Sequence, residues 1–285
     1  MNTIIGLIMV LGACASGFVL AGGNLLSLWQ PFELLIIGGA AFGALVMSNP
    51  VAISIGVLKS FGSLFVASPF KKTLYLELLA LLFDIFAKIR REGALGIEKD
   101  IDAPAESPIF KKYGDIEKIH GSMDFIIDYL RVIILGGVTT YDLEALFDNE
   151  LETHHAESHL VPGAMGKLAE GLPGFGIVAA VMGVVITMSH VGGDPAVLGH
   201  HVGAALVGTF LGILMSYGIF GPMGTYLEHK AREEAKFYEC IKVAIMASFK
   251  GAPPQLAVEF GRKILYHEVR PTWIEVEERC KQKTA

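Results

Sequence analysis

The residues best suited to chemistry sit in a stretch with almost no charge. Between Glu170 and Tyr226 the chain places two prolines, Pro173 and Pro222, and hydroxyls at Thr187, Thr209, Ser216 and Tyr217, with no Lys or Arg among them. Proline removes a backbone donor and weakens a helix. In hydrocarbon the carbonyl it frees must be satisfied by a neighbour or by water. Two long apolar runs with matching prolines therefore suit either tight packing with two kinks or a polar seam for an ion.

On a helical wheel Pro173, Gly176, Ala180, Gly183 and Thr187 share one face. Ala205, Gly208, Thr209, Gly212 and Ser216 make a second small face, with Tyr217 beside it. Small faces serve either tight helix packing or a narrow polar seam, and the pattern alone allows both. No Asp, Glu, Lys or Arg falls deep in the apolar runs. Glu33 and Asp194 are expected at outer turns, Glu170 at the inner edge, and His190, His200 and His201 near the outer boundary. Proton paths normally use an intramembrane carboxylate or His. If this chain conducts protons, a partner is expected to supply the carboxylate.

Enzyme signatures are missing. There is no H-E-x-x-H, P-loop, G-x-S-x-G or dinucleotide fingerprint. His155 and His159, with Glu152 nearby, have helical spacing for a metal; a solvated helix face is the expected reading. No enzyme, metal or cofactor is expected. The three cysteines, Cys14, Cys240 and Cys280, are scattered and imply no disulfide framework.

The elements that must position these residues follow from composition. The 285 residues are 52% apolar and 18% charged, with a mean hydropathy of +0.51. That is too apolar for an ordinary soluble domain, and a net charge of -6 argues against nucleic acid. Residues 3–21 are uncharged and long enough to cross about 30 Å of hydrocarbon. They lack a basic flank and a cleavage site, so a retained span is expected rather than a signal peptide. A turn at 22–24 leads past Trp29, an interfacial anchor, to a second run over 34–47 that can extend to Ile55. Gly39 and Gly43 offer a close-packing face there.

Between Lys59 and Lys167 the chain becomes charged. Leu74, Leu78, Leu81, Leu82, Ile85 and Ile89 recur at helical spacing, and Gly93 and Gly96 end that helix. A polar link over 102–108 precedes helices near 115–135 and 140–157, the latter with Thr140 as expected N-cap. After the hairpin a charged amphipathic helix continues to Lys250. Residues 251–254 break it, and helices near 255–267 and 271–283 close the chain. The charges Lys88, Arg90, Arg91, Glu92, Glu98, Lys99 and Asp100 suit either a solvated surface or docking to a charged partner.

All 23 Lys and Arg fall in two segments, 12 within 59–167 and 11 within 230–283. The turns 22–33 and 192–201 have none, which puts the insertion and tail in the cytoplasm. The expected fold is an all-α membrane protein with four transmembrane helices, a large helical cytoplasmic insertion and a helical cytoplasmic tail. The expected boundaries are 1–56, 57–169, 170–226 and 227–285.

The run LAEGLPGFGIVAAVMGVVITM at 168–188, GTFLGILMSYGIFGPM at 208–223 and GGNLLSLWQPFELLIIGGAAFGALVMSNP at 22–50 closely resemble the MotA family of flagellar stator subunits. More distantly the chain looks like the energisers of outer-membrane transport, ExbB and TolQ, which share the membrane core. The resemblance implies a proton-conducting subunit of the bacterial inner membrane, five copies around a MotB dimer. MotB is a single-span partner that contributes a proton-accepting Asp. It further implies contact with the rotor protein FliG through Arg90 and Glu98. Coupling falls to Pro173 and Pro222, and Thr209 faces the partner carboxylate. Ala180, where sodium-driven relatives carry a hydroxyl, favours protons.

Overall fold

The computed structural model describes residues 2–63, 66–189, 192 and 195–284. The uncharged opening run forms α1 (Asn2–Leu20). Gly22, at a φ of 89°, starts the turn, and a short 3-10 helix, Leu25–Leu28, follows with Asn24 as its N-cap. Pro31 occupies the first position of α2 (Pro31–Ser48), where its missing N–H costs nothing. The second apolar run does not continue to Ile55. It stops at Asn49, held extended at φ -134° and ψ 150° before Pro50. The Ser48 hydroxyl and Asn49 Nδ2 donate to the Ala44 and Leu45 carbonyls at 2.7 and 2.9 Å, and α3 (Val51–Ser63) then begins.

The charged insertion is helical as expected: α4 (Lys72–Glu92), α5 (Glu98–Asp102), α6 (Gly114–Glu117), α7 (Ser122–Leu135) and α8 (Thr140–Ser158). The N-cap of α8 is Thr139 rather than Thr140. Thr139 Oγ1 accepts from the Asp142 N–H at 3.2 Å, and Asp142 Oδ2 accepts from the Thr139 N–H at 3.2 Å. This reciprocal pair is a capping box one residue earlier than the sequence suggests.

The apolar hairpin is formed by α9 (Leu160–Met188) and α10 (Pro195–Met215). A π-helical turn, Ser216–Phe220, joins α10 to α11 (Gly221–Phe249). Pro254 opens α12 (Pro254–Ile264), and α13 (Trp273–Thr284) completes the chain. Among the described residues four helices are long and apolar enough to cross a membrane, and no strand occurs.

Packing divides the chain into two units, 1–67 with 158–230 and 68–157 with 231–285. In the first, α2, α9 and α10 pack together around Ile37, Ala41, Leu172 and Ala179. The second is built around α4. The expected amphipathic stripe is only part of its buried surface, because Tyr75, Leu79, Ala80 and Phe86 are buried as well. α12 and α13 both pack against α4, so its buried face is wider than that stripe. Its two inner carboxylates are paired: Glu77 with Arg279, and Asp84 with the Tyr113 hydroxyl at 2.9 Å.

Candidate ion path and charged docking end

The seam between α9 and α10 is closed by backbone. A Cβ on Gly176 would lie 3.0 Å from the Gly208 carbonyl oxygen and from Gly212 Cα. One on Gly212 would lie 2.8 Å from Gly176 Cα and from the Leu172 carbonyl oxygen. A Cβ on Gly183 would lie 2.9 Å from the Ala205 methyl and 3.2 Å from its Cα. The sequence left packing and a polar seam open. For Gly176, Gly183, Ala205, Gly208 and Gly212 the geometry is packing, with no room for an ion between them.

The other singled-out residues lie along the flank of that seam. Thr209, Ala180 and Pro173 are half-buried. Gly208 brings the first two together: a Cβ at Gly208 would be 3.3 Å from the Ala180 nitrogen, and Thr209 is the next residue of α10. Tyr217 is 75% exposed and turned out of the chain. Ser216 and Thr187 are buried, and the Thr187 hydroxyl is spent on the Gly183 carbonyl at 2.8 Å.

The two prolines act differently. Pro173 lies inside α9 and withholds a donor from the carbonyl four residues earlier. Before Pro222 the helix relaxes instead into the π turn, where the Gly221 N–H reaches the Ser216 carbonyl. π turns of this kind are rare and concentrate at functional sites. Both breaks adjoin one apolar cluster, in which Leu172 packs with Met215 and Phe220.

Two sequence expectations on α2 are corrected. Gly39 and Gly43 face open space, with nothing within 4 Å of an added Cβ. The packed face is Glu33, Ile37, Ala41 and Leu45. Glu33 is therefore no solvated turn residue; it is 9% exposed, with its Cγ 3.4 Å from where a Gly208 Cβ would stand. The signal was present as four residues at a spacing of four with the carboxylate at their head, but a Glu one turn into a helix reads as solvated. His190 and Asp194, and the side chain of His200, lie outside the described residues; His201 is half-buried.

In the second unit the charges near Arg90 sort into two sets. α4 stops at Gly93, whose φ of 79° only glycine adopts at little cost. A 3-10 turn over Ala94–Ile97 then leads into α5. Arg90 and Glu98 stand exposed on the two sides of this turn, with Arg91, Glu92 and Lys99. Arg90 Nη1 reaches the Gly251 carbonyl at 3.4 Å. Lys88 and Asp100 are a different case. Asp100 is buried and accepts from Lys88 Nζ and from the Ser107 hydroxyl, both at 2.7 Å. This internal staple fixes α5, and with it Glu98, against the end of α4. Nothing in the spacing separated these inward charges from the outward ones.

Farther into the unit, burial and the nearby Asp84 carboxylate raise the Tyr113 hydroxyl pKa well above its usual range. Burial, then the nearby Glu234, pushes Tyr238 up to about 12. Both phenols stay neutral hydrogen-bond donors, Tyr238 to the His120 carbonyl at 2.7 Å. Among the described residues no group of three or more His, Cys, Asp and Glu is placed to hold a metal.

Comparison with known proteins decides the family. The model for the motility protein A N-terminal region matches residues 4–93, and that for the MotA/TolQ/ExbB proton channel family matches 123–240. Motility protein A of Salmonella typhimurium is 43% identical over 99% of this chain and 95% of its own length. The chain belongs to the motility protein A family. It is thus a proton-channel subunit of a flagellar stator. The Escherichia coli motility protein A is equally similar, at 43% over 99% of this chain and 95% of its own length. Chemotaxis protein LafT of Vibrio parahaemolyticus is 34% identical over 97% of both chains. The fold matches the C. jejuni MotAB structure at a TM-score of 0.77, with 20% identity over 94% of this chain and 96% of that one. It matches the flagellar MotAB stator complex of Bacillus subtilis at 0.69, with 23% identity over 90% and 92%. Full-length similarity to motility proteins sets aside an outer-membrane energiser.

Proposed function

We propose that protons pass along the flank formed by Ala180, Thr209 and Tyr217, on the outside of the glycine seam. The observation that carries this reading is the backbone contact at Gly176 and Gly212. It closes the space between α9 and α10 and leaves the hydroxyls on an edge that another chain can complete. The completing chain is a MotB-type subunit whose single span brings an Asp to the level of Thr209. The names of the solved MotAB neighbours support such a partner. The assembly is five copies of this chain around two of the partner, in the bacterial inner membrane with the charged unit in the cytoplasm.

The transported ion is the proton, and no cofactor takes part. Protonating the partner's Asp removes a charge from a poorly solvating site, and deprotonation restores it. Each change alters which packing of α9 and α10 is favoured. The electrical part of the driving force is worth about 2.3 kcal/mol per charge per 100 mV. Pro173 and the π turn before Pro222 are where the helices yield, since both lack regular backbone hydrogen bonding. α11 then carries the chain from the first unit into the second without a break. Arg90 and Glu98 meet the rotor protein FliG by charge attraction, which salt screens.

Reversing Arg90 to Glu should stall rotation, and an opposite reversal on the rotor should restore it. Unimpaired swimming with Arg90 and Glu98 reversed together removes the docking role. The flank is tested by Thr209→Val, which should lower torque while the stator still assembles.

A further inference from the structure

Among the described residues, the antiparallel helices α8 and α11 are linked by charge at three levels. Glu144 meets Lys250 at 3.2 Å, Asp148 meets Lys242, and His154 Nε2 lies 3.7 Å from Glu234 Oε1. The first two links place a carboxylate on α8 and a lysine on α11. The third reverses the order and puts histidine in place of lysine. A lysine–carboxylate link keeps its charges across the neutral range, whereas histidine gains or loses its charge there. Of the three, the histidine link is also the nearest to residue 231, where α11 enters the second unit. His154 is poorly satisfied as it stands. Its Nδ1 is buried and meets no hydrogen-bond partner among the described residues. Its Nε2 is too far from Glu234 for a hydrogen bond, yet within reach of charge attraction. The Tyr238 ring lies 4.5 Å from the imidazole, centroid to centroid, and an aromatic face attracts a cation. A charged imidazole gains from Glu234 and Tyr238 but leaves a donor on Nδ1 without an acceptor. A neutral imidazole with its hydrogen on Nε2 avoids that donor and gives up the attraction. The two forms therefore favour different settings of α8 on α11.

We propose that His154 is a positioning residue whose protonation pins the entry of α11 to α8 and lowers torque. This rests on the reading above that the stator delivers protons to the side where the charged unit lies. Hydronium gives one proton to the imidazole, forming an N–H bond and leaving water; loss of that proton to water reverses the step. The charged ring closes on Glu234. α11, which carries motion out of the first unit, is then held to α8 at three levels rather than two. The stator is thus slowed by the protons it delivers. The other groups around His154 are occupied or turned to solvent. On α8, Glu150 accepts from the Tyr129 hydroxyl at 2.6 Å, and His155 and Glu157 are exposed. On α11, Glu233 accepts from the Ser68 hydroxyl, Lys236 is paired with Glu239, and Arg232 is exposed. From α7, Asp124 acts on Tyr238, which remains a neutral donor to the His120 carbonyl.

The test uses the full stator, this chain with its partner, in cells lacking their own. A permeant weak acid sets internal pH between about 6 and 8, across the histidine range, while outer pH is held constant. Torque per unit is read, and assembly is scored by fluorescent foci at the motors. The driving force changes equally in every strain, so the variants are compared with the parent at each pH. His154→Gln keeps a polar side chain but takes up no proton. As internal pH falls, parental torque should drop several-fold further than that of His154→Gln. The same pH dependence in both overturns the proposal. If His154→Gln forms no foci, Glu234→Gln decides, since it keeps the imidazole and removes the anion: a flattened dependence supports the pinning, and a parental one overturns it. Thr209→Val is run in parallel. Loss of torque there with a parental pH dependence in His154→Gln removes His154 alone, whereas parental torque in Thr209→Val removes the path and leaves the pinning to its own result.

Discussion

The two units of this chain solve the packing problem in opposite ways. In the first, α9 and α10 approach through the absence of side chains, with Gly176 against Gly212 and Gly183 against Ala205. In the second, α4 is enclosed by large side chains, and Tyr75, Leu78, Phe86, Phe147 and Phe237 are almost fully buried. Tyr129 and Phe147 stack with ring centroids 3.4 Å apart. The difference follows from solvent. In water, burying a large apolar side chain contributes about 1.5–3 kcal/mol. In lipid that gain is missing, so close backbone contact and van der Waals packing take its place. A seam made of glycine also has little to interlock, which suits an element that must shift.

That contrast can be broken or sharpened by substitution. The largest effect is expected at Gly212→Val. Its side chain would have to enter space filled by Gly176 Cα and the Leu172 carbonyl. It should abolish assembly of the stator, seen as lost foci and lost swimming; a functional Gly212→Val stator would refute the closed seam. Next comes Leu78→Ala in the second unit, where the side chain is fully buried. A loss of about 2–5 kcal/mol is expected from the transfer and cavity terms, measurable by denaturant unfolding of the solubilised chain. Retained stability would mean that α4 is not the centre of that unit.

Asp100→Ala should cost less, about 1–3 kcal/mol, since it strands Lys88 and Ser107 without their acceptor. It should also blur the position of Glu98, so torque should fall more than stability implies; equal parental torque would free Glu98 from the staple. Pro173→Ala should leave stability nearly unchanged and cut torque with foci retained. Parental swimming in that variant would locate the bend elsewhere.

The smallest effect is an acid-sensitive end of α13. Hydrogen bonds from Lys72, then from the Thr272 backbone and hydroxyl, lower Glu275 from 4.5 to about 2. A depressed carboxylate adds stability above its unfolded value and loses it as pH falls through its folded one. Amides at the start of α13 should therefore lose exchange protection between pH 4.5 and about 2. Thr272→Val should weaken the dependence, and an unchanged profile would discount the cap.

Much of the fold was legible, because apolar runs of span length and the position of prolines report local events. The break before Pro254 and the stops at Gly93 and Gly251 follow from backbone chemistry alone, whereas the break at Pro50 was passed over. What escaped depends on direction. Periodicity showed that Gly176 and Ala180 share a face of α9, but only packing revealed that one touches α10 and the other stands at the edge. Lys88 and Arg90 are two residues apart with the same charge; one points inward to Asp100 and the other outward. Glu33 was misplaced for a related reason, since its burial comes from α10, far away in sequence. The π turn had a local cause in Pro222, yet a proline predicts a disturbed helix without saying how the strain is absorbed.

The π turn at Ser216–Phe220 also sets a phase. One extra residue in a turn rotates everything after it by about 100° relative to an unbroken α-helix, since each residue advances by that angle. The faces of α10 and α11 are thus read off by two different counts, and Ser216–Phe220 is where the count is reset. Deleting a single residue there would turn every side chain of α11 to a new bearing while leaving the Pro222 break in place. Such a deletion would spare the local fold yet scramble which side of α11 faces its neighbours. A pair of changes, the deletion with an insertion one turn later, would restore the bearing and isolate phase from flexibility.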